Sequence, residues 1–173
     1  MHHPNPTAHV QSLLAPVDGR VTLADMDLAG ISLADLDLSR CQLSGCRLTA
    51  ATFQRVSFAG ASIQLCFLDR ATFLDCDFSG ATLLNAVFAG SHLEGCKFSE
   101  CELIQVNYLG IRGVRTVFDH SNLYGSRFVG SWLEKVSMRD CNLKRASFNL
   151  AHQEVVDFRS SNTEEPSFLE LLP

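Results

Sequence analysis

The sequence has no apolar run approaching the ~20 residues that a bilayer-spanning helix needs, so we do not expect an integral membrane protein. Only 19% of its 173 residues are charged and 46% are hydrophobic, a balance that excludes a disordered chain. The start, MHHPNPTAHV, lacks a cationic segment followed by an apolar one, which predicts no secretory signal and a cytoplasmic location. A pI near 5.6 argues against direct nucleic-acid binding.

The sequence also lacks the CxxC spacing of common zinc and redox sites, although it contains seven cysteines. Seven is an odd and high number for a chain without an export signal. From composition alone, the cysteines are compatible with a metal site, with redox chemistry or with core packing. Their positions in the repeat described next decide between these alternatives.

Hydrophobic residues recur every five positions from residue 21 to residue 160 without insertion or deletion. When the centre of each unit is taken as every fifth residue from Leu23, 26 of 28 centres are apolar or aromatic, and the exceptions are Gly113 and Gln153. The position two before each centre holds only apolar residues, Ser or Thr. Neither column contains Asp, Glu, Lys or Arg. Because burying an unpaired charge is costly, we predict that both columns face the interior.

The other three positions of each unit carry all 28 charged residues of the repeat and are predicted to face outward. A period of five matches neither the 3.6 residues of a helical turn nor the period of two in a strand. The backbone must therefore turn once per unit. Glycine, which tolerates the positive φ of tight turns, recurs two residues after the centre, from Gly30 to Gly130.

These columns closely resemble the pentapeptide-repeat family, whose consensus is Ala-(Asp/Asn)-Leu-x-x. The matching units are Ala51-Thr52-Phe53, Ala71-Thr72-Phe73, Ala81-Thr82-Leu83, Ser121-Asn122-Leu123, Cys141-Asn142-Leu143 and, in a shifted register, Ala34-Asp35-Leu36. The resemblance implies an all-β fold, a right-handed quadrilateral parallel β-helix with four pentapeptides per coil. Residues 21–160 would then form about seven coils.

A 20-residue coil stacks residues n and n+20, and the centres do sort by face. One face is wholly aliphatic, with Leu23, Leu43, Ile63, Leu83, Leu103, Leu123 and Leu143. Another is largely an aromatic ladder, with Leu38, Phe58, Phe78, Phe98, Phe118, Met138 and Phe158. Stacked side chains of one kind pack in register, which supports four-sided coils. The column of Leu93, Gly113 and Leu133 is interrupted, so we expect a local distortion near Gly113.

All seven cysteines occupy the inward column two before the centre: Cys41, Cys46, Cys66, Cys76, Cys96, Cys101 and Cys141. A buried free cysteine behaves as a small hydrophobe, so we interpret them as core filling. The histidines and outward serines form no catalytic arrangement at the repeat spacing, and the glycines are not clustered as in phosphate-binding loops. We therefore predict no enzyme, with no catalytic residue, no metal and no cofactor.

Two short segments flank the repeat. Residues 1–20 contain Pro4, Pro6, Val10, Leu13 and Leu14 and are predicted to form a loose start and an N-terminal cap. Residues 161–173 carry an apolar group after Pro166, which favours a C-terminal cap or a short helix. The alternative for this segment is a homodimer contact, which related topoisomerase-protecting members place at the C-terminal end.

Apolar residues also occupy outward positions on two neighbouring faces. The aliphatic face carries Leu65, Leu84, Ile104 and Tyr124, and the next face carries Phe67, Val87, Leu109 and Val129. Because soluble monomers rarely expose large apolar patches, we predict a partner-binding strip. The alternatives are that the terminal segments cover the strip or that these residues only favour strands. Trp132, predicted to lie near Arg112, Glu134 and Lys135, is a further candidate anchor.

The absence of a catalytic site leaves two predicted functions, both with a protein partner. The first is a non-catalytic protein-binding solenoid, such as an immunity protein that neutralises a nuclease-type toxin. The alternative, implied by the family, is a DNA-mimicking protector of a type II topoisomerase (gyrase) against drugs or toxins. Duplex DNA carries one charge per ~1.7 Å of axis, whereas the repeat holds 15 acids and 13 bases, so the first function is preferred.

Overall fold

The computed structural model describes residues 20–163, which form a parallel β-solenoid of seven coils with no helix in that range. Coil 1 is residues 21–40, and each later coil adds twenty residues up to 141–160. Twelve strands of three residues each are present: β1 Thr22–Ala24, β2 Ser32–Ala34, β3 Gln42–Ser44, β4 Thr52–Gln54, β5 Ser62–Gln64, β6 Thr72–Leu74, β7 Thr82–Leu84, β8 His92–Glu94, β9 Glu102–Ile104, β10 Arg112–Val114, β11 Trp132–Glu134 and β12 His152–Glu154.

The coil has four sides, numbered here in chain order. Side 1 is a five-stranded sheet, β1-β3-β5-β7-β9, extended by bridges through Asn122, Asn142 and Asn162. Side 3 is a seven-stranded sheet, β2-β4-β6-β8-β10-β11-β12. Sides 2 and 4 are held by single-residue bridges, from Asp27 to Ser147 and from Asp37 to Asp157. Every pairing joins residue n to residue n+20 in parallel, which confirms the predicted four-sided solenoid.

The two inward columns form one continuous hydrophobic core. On side 4, the rings of Phe58, Phe78, Phe98 and Phe118 stack with centroids 4.7, 4.5 and 5.0 Å apart, as the sequence predicted. A second ladder, which the sequence analysis did not single out, runs on side 2 through Phe88, Tyr108, Phe128 and Phe148. The two ladders meet edge to face across the core, an arrangement that adds to the free energy of burial.

The expected distortion near Gly113 is wrong. Strand β10 pairs in register with β8 below it and with β11 above it, so the backbone at Gly113 stays regular. A Cβ at this position would lie 3.2 Å from Leu133 Cδ2 and 3.7 Å from Val136 Cγ2. Side chains of the neighbouring coil therefore already fill the space that a larger residue would use.

The seven cysteines are all free and buried, and six of their thiols donate hydrogen bonds to backbone carbonyls. Cys101 Sγ lies 3.0 Å from Phe78 O and Cys141 Sγ 3.1 Å from Phe118 O. Serines of the same column make the equivalent bond, for example Ser131 Oγ to Tyr108 O at 2.8 Å. Cysteine and serine therefore act in this column as small hydrogen-bond donors as well as core filling. Burial raises the pKa of Cys101 to about 12 and that of Cys141 to about 11, which keeps both thiols protonated.

The position two after each centre forms the corner of the coil. All 28 corner residues have φ between 49° and 69°, and nineteen of them are not glycine. A side chain in this left-handed region costs about 1–2 kcal/mol relative to ordinary backbone. The repeat therefore stores backbone strain at its corners, and the stacked core offsets it.

The predictions for the termini lie largely outside the described residues. Nothing in residues 20–163 tests the N-terminal cap, the short helix at Pro166 or a homodimer through the C-terminal end. The bridge from Asn142 to Asn162 shows only that the repeat pairing continues two residues beyond coil 7.

We predict that Tyr108→Phe stabilises the protein. Tyr108 is fully buried in the side 2 ladder, and its hydroxyl has no hydrogen-bond partner. An unsatisfied buried hydroxyl costs about 1–3 kcal/mol, so its removal should raise the free energy of unfolding by about 1 kcal/mol or more in chemical denaturation. Tyr124→Phe, at a half-buried outward position, is the matched control and should change little. A fall in stability for Tyr108→Phe would contradict the prediction.

Candidate protein-binding surface

In coils 4–6, two of the four sides of the solenoid are almost free of charge. In coils 4–6, the eighteen outward residues of sides 1 and 2 include two charged side chains, Glu102 and Arg127. The eighteen equivalent residues of sides 3 and 4 include ten: Glu94, Lys97, Glu100, Arg112, Arg115, Asp119, Glu134, Lys135, Arg139 and Asp140. We call the outward surface of sides 1 and 2 in coils 4–6, together with Leu65 and Phe67 of coil 3, the uncharged strip.

Eight of the nine predicted binding residues lie on the uncharged strip. Leu65, Phe67 and Leu109 are exposed, with 60%, 51% and 41% of their surface accessible. The other five are half-buried: Leu84, Val87, Ile104, Tyr124 and Val129. These eight residues therefore lie together, with the exposed apolar area concentrated in three of them, and binding of a partner by the strip stays a prediction.

The strand register makes these residues contiguous. Leu84 pairs directly with Ile104 between β7 and β9, and Phe67 is bridged to Val87 on side 2. Each step along the solenoid is one strand spacing, about 4.8 Å, so apolar side chains of successive coils touch. The result is a flat, rigid surface that continues around the corner between sides 1 and 2.

The ninth residue, Trp132, lies apart from the strip on side 3, where 40% of it is exposed. Its ring stacks on His152 with centroids 3.8 Å apart, and the Arg112 guanidinium lies 5.8 Å from the ring centroid. Glu134 pairs with Arg112 at 3.9 Å and with Lys135 at 3.5 Å, so the predicted neighbours are in place. Trp132 is thus part of a separate, charged aromatic cluster.

Sequence reasoning missed the two most exposed apolar residues, Leu150 and Val155, with 76% and 74% of their surface accessible. Both are corner residues of coil 7 with positive φ, as is Leu65 of coil 3. These three are the only large apolar residues among the 28 corners. An apolar corner residue combines backbone strain with exposure to water, which gives folding no benefit, so the corner column was the signal that could have found them.

We predict that Leu65→Gly stabilises the protein. Leu65 has a φ of 53°, where glycine is unstrained, and its exposed side chain contributes little packing. Relief of this strain, partly offset by the greater freedom of glycine in the unfolded chain, should raise the free energy of unfolding by about 0.5–1 kcal/mol. Ala50→Gly, at a corner with a φ of 56°, is the matched control and should gain a similar amount. A loss of stability for Leu65→Gly alone would show that Leu65 packs on the fold.

On the charged sides, carboxylates and guanidinium groups of successive coils pair with each other. Asp119, whose side chain is 7% exposed, accepts hydrogen bonds from Ser137 Oγ at 2.5 Å, from the Arg139 backbone at 3.0 Å and from Arg139 Nε at 3.0 Å. Burial opposes ionisation of this carboxyl, but these hydrogen bonds outweigh it and hold the Asp119 pKa below its ordinary value. Arg55 pairs with Asp35 in the same way at 2.6 Å.

The low pKa of Asp119 predicts a pH-dependent contribution to stability. A carboxyl whose pKa is lower in the folded than in the unfolded state stabilises the fold above the unfolded value of ~3.9 and loses this effect as the pH falls through the folded value. Asp119→Asn should therefore cost about 2 kcal/mol at pH 7, and the cost should shrink below about pH 4. Denaturation curves from pH 3 to pH 7 test this, with Asp140→Asn as the exposed control. A cost that does not vary with pH would contradict the prediction.

Within residues 20–163, no three His, Cys, Asp or Glu side chains are grouped so as to bind a metal ion. The same part of the chain contains no helix that is long and apolar enough to cross a membrane.

Two family models of pentapeptide repeats match the chain. A model described as pentapeptide repeats (8 copies) matches residues 20–55, 73–107 and 121–152. A second model, pentapeptide repeats (9 copies), matches residues 38–82. The chain belongs to the pentapeptide-repeat family, as the sequence predicted. A comparison with curated protein sequences found no significant match.

Solved structures of other pentapeptide-repeat proteins are similar over most of the chain. HetL, involved in heterocyst differentiation regulation in the cyanobacterium Nostoc, is 13% identical over 97% of this chain and 98% of its own, with a TM-score of 0.42. QnrB1, a plasmid-mediated fluoroquinolone resistance protein, is 14% identical over 83% of this chain and 91% of its own, with a TM-score of 0.49. With these low identities and TM-scores, neither a partner nor a binding residue of HetL or QnrB1 can be assigned to this chain.

Proposed function

We propose that this protein is a non-catalytic solenoid that binds one protein partner through the uncharged strip. The observation that carries the proposal is the contrast between the two halves of the surface, two charged residues against ten in the same coils. A surface that lacks charged side chains and exposes several apolar ones is typical of the centre of a protein interface. The described residues offer no grouped metal ligands, which is compatible with a binding role.

The proposed consequence of binding is inhibition of the partner. Each coil is fixed to the next by parallel hydrogen bonds, so the strip is already ordered before it meets a partner. A rigid surface loses little conformational entropy on binding and can block a partner tightly. We propose a toxin, such as a nuclease, as the inhibited partner, with this protein as its cytoplasmic immunity protein.

Protection of a topoisomerase by DNA mimicry is the less favoured function. Several acids of the repeat are neutralised within the protein. Asp27 pairs with Arg47, Asp35 with Arg55 and Asp119 with Arg139, each one coil away. The surface therefore does not present the continuous negative charge of a DNA backbone.

Two charged substitutions on the strip test the proposed function. Ile104→Asp and Leu109→Asp place carboxylates in the uncharged strip, and affinity capture of the partner from native cells should fall by about tenfold or more, as expected for the loss of an interface contact. Val117→Asp, half-buried on side 4 of the same coil, is the matched control and should leave capture unchanged. Thermal denaturation checks that all three variants fold.

Two results would contradict the proposal. Equal capture by the strip variants and the control would show that the strip is not the interface. Recovery of topoisomerase subunits alone, identified by mass spectrometry, would exclude the immunity function and favour the DNA-mimicking alternative.

A further inference from the structure

Seven of the eight basic residues of coils 5–7 fall into two groups. The five on sides 3 and 4 each lie 2.5–3.9 Å from a carboxylate: Arg112 and Lys135 near Glu134, Arg115 near Glu94, Arg139 near Asp119, and Arg159 near Asp157. Their charges are therefore compensated within the protein. These sides offer a partner little uncompensated positive charge.

Arg127 and Arg145, on sides 1 and 2, differ from this group. Neither has an ion-pair partner among residues 20–163, and both side chains are exposed. The Arg145 guanidinium lies 5.8 Å from the centroid of the Tyr124 ring. Arg127 carries its charge on side 2, where the residues one coil below and above it are Asn107 and Ser147.

The two arginines lie close together at one end of the uncharged strip. Arg145 is the corner residue between sides 1 and 2 of coil 7, and Ser147, which is bridged to Arg127, follows it by only two residues. Tyr124 and Val129 of the strip lie beside them. Glu102, the single acid of the strip, lies at the opposite edge of side 1, where it accepts a hydrogen bond from Asn122 Nδ2 at 2.8 Å.

We propose that the uncharged strip binds a segment of the partner that is apolar along its length and acidic at one end. Apolar side chains of the segment would cover Leu84, Ile104 and Leu109, and its carboxylates would pair with Arg127 and Arg145. Arginine pairs with carboxylates through two parallel hydrogen bonds, which would fix the direction of the segment on the strip. This inference rests on the proposed function and specifies the chemistry of the partner's contact.

The inference also constrains how a nuclease-type toxin would be inhibited. The groove of such an enzyme that holds nucleic acid is basic, and like charges facing each other across an interface are unfavourable. A contact that presents carboxylates to Arg127 and Arg145 must therefore lie outside that groove. Inhibition would then work from a neighbouring acidic and apolar surface.

The chain itself contains one competing source of acids. Glu164 and Glu165 follow Lys144 and Arg145 by twenty residues, one coil length, and lie outside the described residues. If these acids occupied the arginines, the strip would have no cationic end to offer a partner. The experiment below separates the two occupants.

A random peptide display library panned on the full-length protein tests the proposal without knowledge of the partner. We expect enriched peptides with apolar residues and with Asp or Glu clustered at one end. Their affinity should fall about tenfold for Arg127→Glu with Arg145→Glu, and less for the corresponding Gln variant, because reversal adds repulsion to the lost pairing. Lys97→Glu, exposed on side 4, is the charge-matched control and should bind as the unchanged protein does.

Three results would overturn the proposal. The first is enrichment without acidic bias, or no enrichment. The second is an equal loss of affinity for Lys97→Glu. The third is stronger peptide binding by Glu164→Gln with Glu165→Gln, which would show that the chain's own acids occupy the arginines.

The failure of the proposed function would look different. If acidic peptides bind as expected while Ile104→Asp and Leu109→Asp leave cellular capture unchanged, the proposed function fails, but the proposed binding of an apolar and acidic segment by the strip stands.

Discussion

The structure depends on one constraint, the parallel hydrogen bonding of each residue to positions one coil length away. Thr52 N donates to Ile31 O and Arg55 N donates to Leu74 O, both at 2.8 Å, and the same pattern repeats along the solenoid. Because this register does not change along the solenoid, each of the five positions of a unit has the same surroundings in all seven coils. Two positions must be apolar or small, one must accept positive φ, and only the outward positions remain for function.

The constraint also explains why the core is built of ladders. A side chain at a centre lies one strand spacing from the same position in the next coil, which is the separation at which aromatic rings stack. Phe78 and Phe98 are nearly parallel, with an interplanar angle of 5°. Tyr108 fits the side 2 ladder geometrically, although its hydroxyl has no hydrogen-bond partner among the described residues. The shape of the ring therefore decides whether a side chain fits the column, and the buried hydroxyl carries an energetic cost.

Much of the fold could be predicted from the sequence because the period is unbroken. The inward columns, the coil length and the aromatic ladder of side 4 all follow from the five-residue period of the units and the twenty-residue period of the coils. The expected distortion at Gly113 was wrong because the period of a sequence cannot show that Leu133 and Val136 fill the space left by the missing side chain. The ion pairs across coils, the stacking of Trp132 on His152 and the exposure of Leu150 depend on side-chain conformations, which the columns do not specify.

The uncharged strip is not a requirement of the fold, and this is what makes it informative. Sides 3 and 4 show that the same outward positions accept charge readily, because a residue one coil away can pair with it, as Arg139 does with Asp119. Sides 1 and 2 have the same backbone and the same register, and Asp27 does pair with Arg47 on side 2 of coils 1 and 2. In coils 4–6 these sides carry apolar and uncharged polar residues instead. At the Leu65 corner of coil 3, an apolar side chain combines backbone strain with 60% exposure of its surface. Folding explains neither choice, and the proposed contact with a partner would explain both.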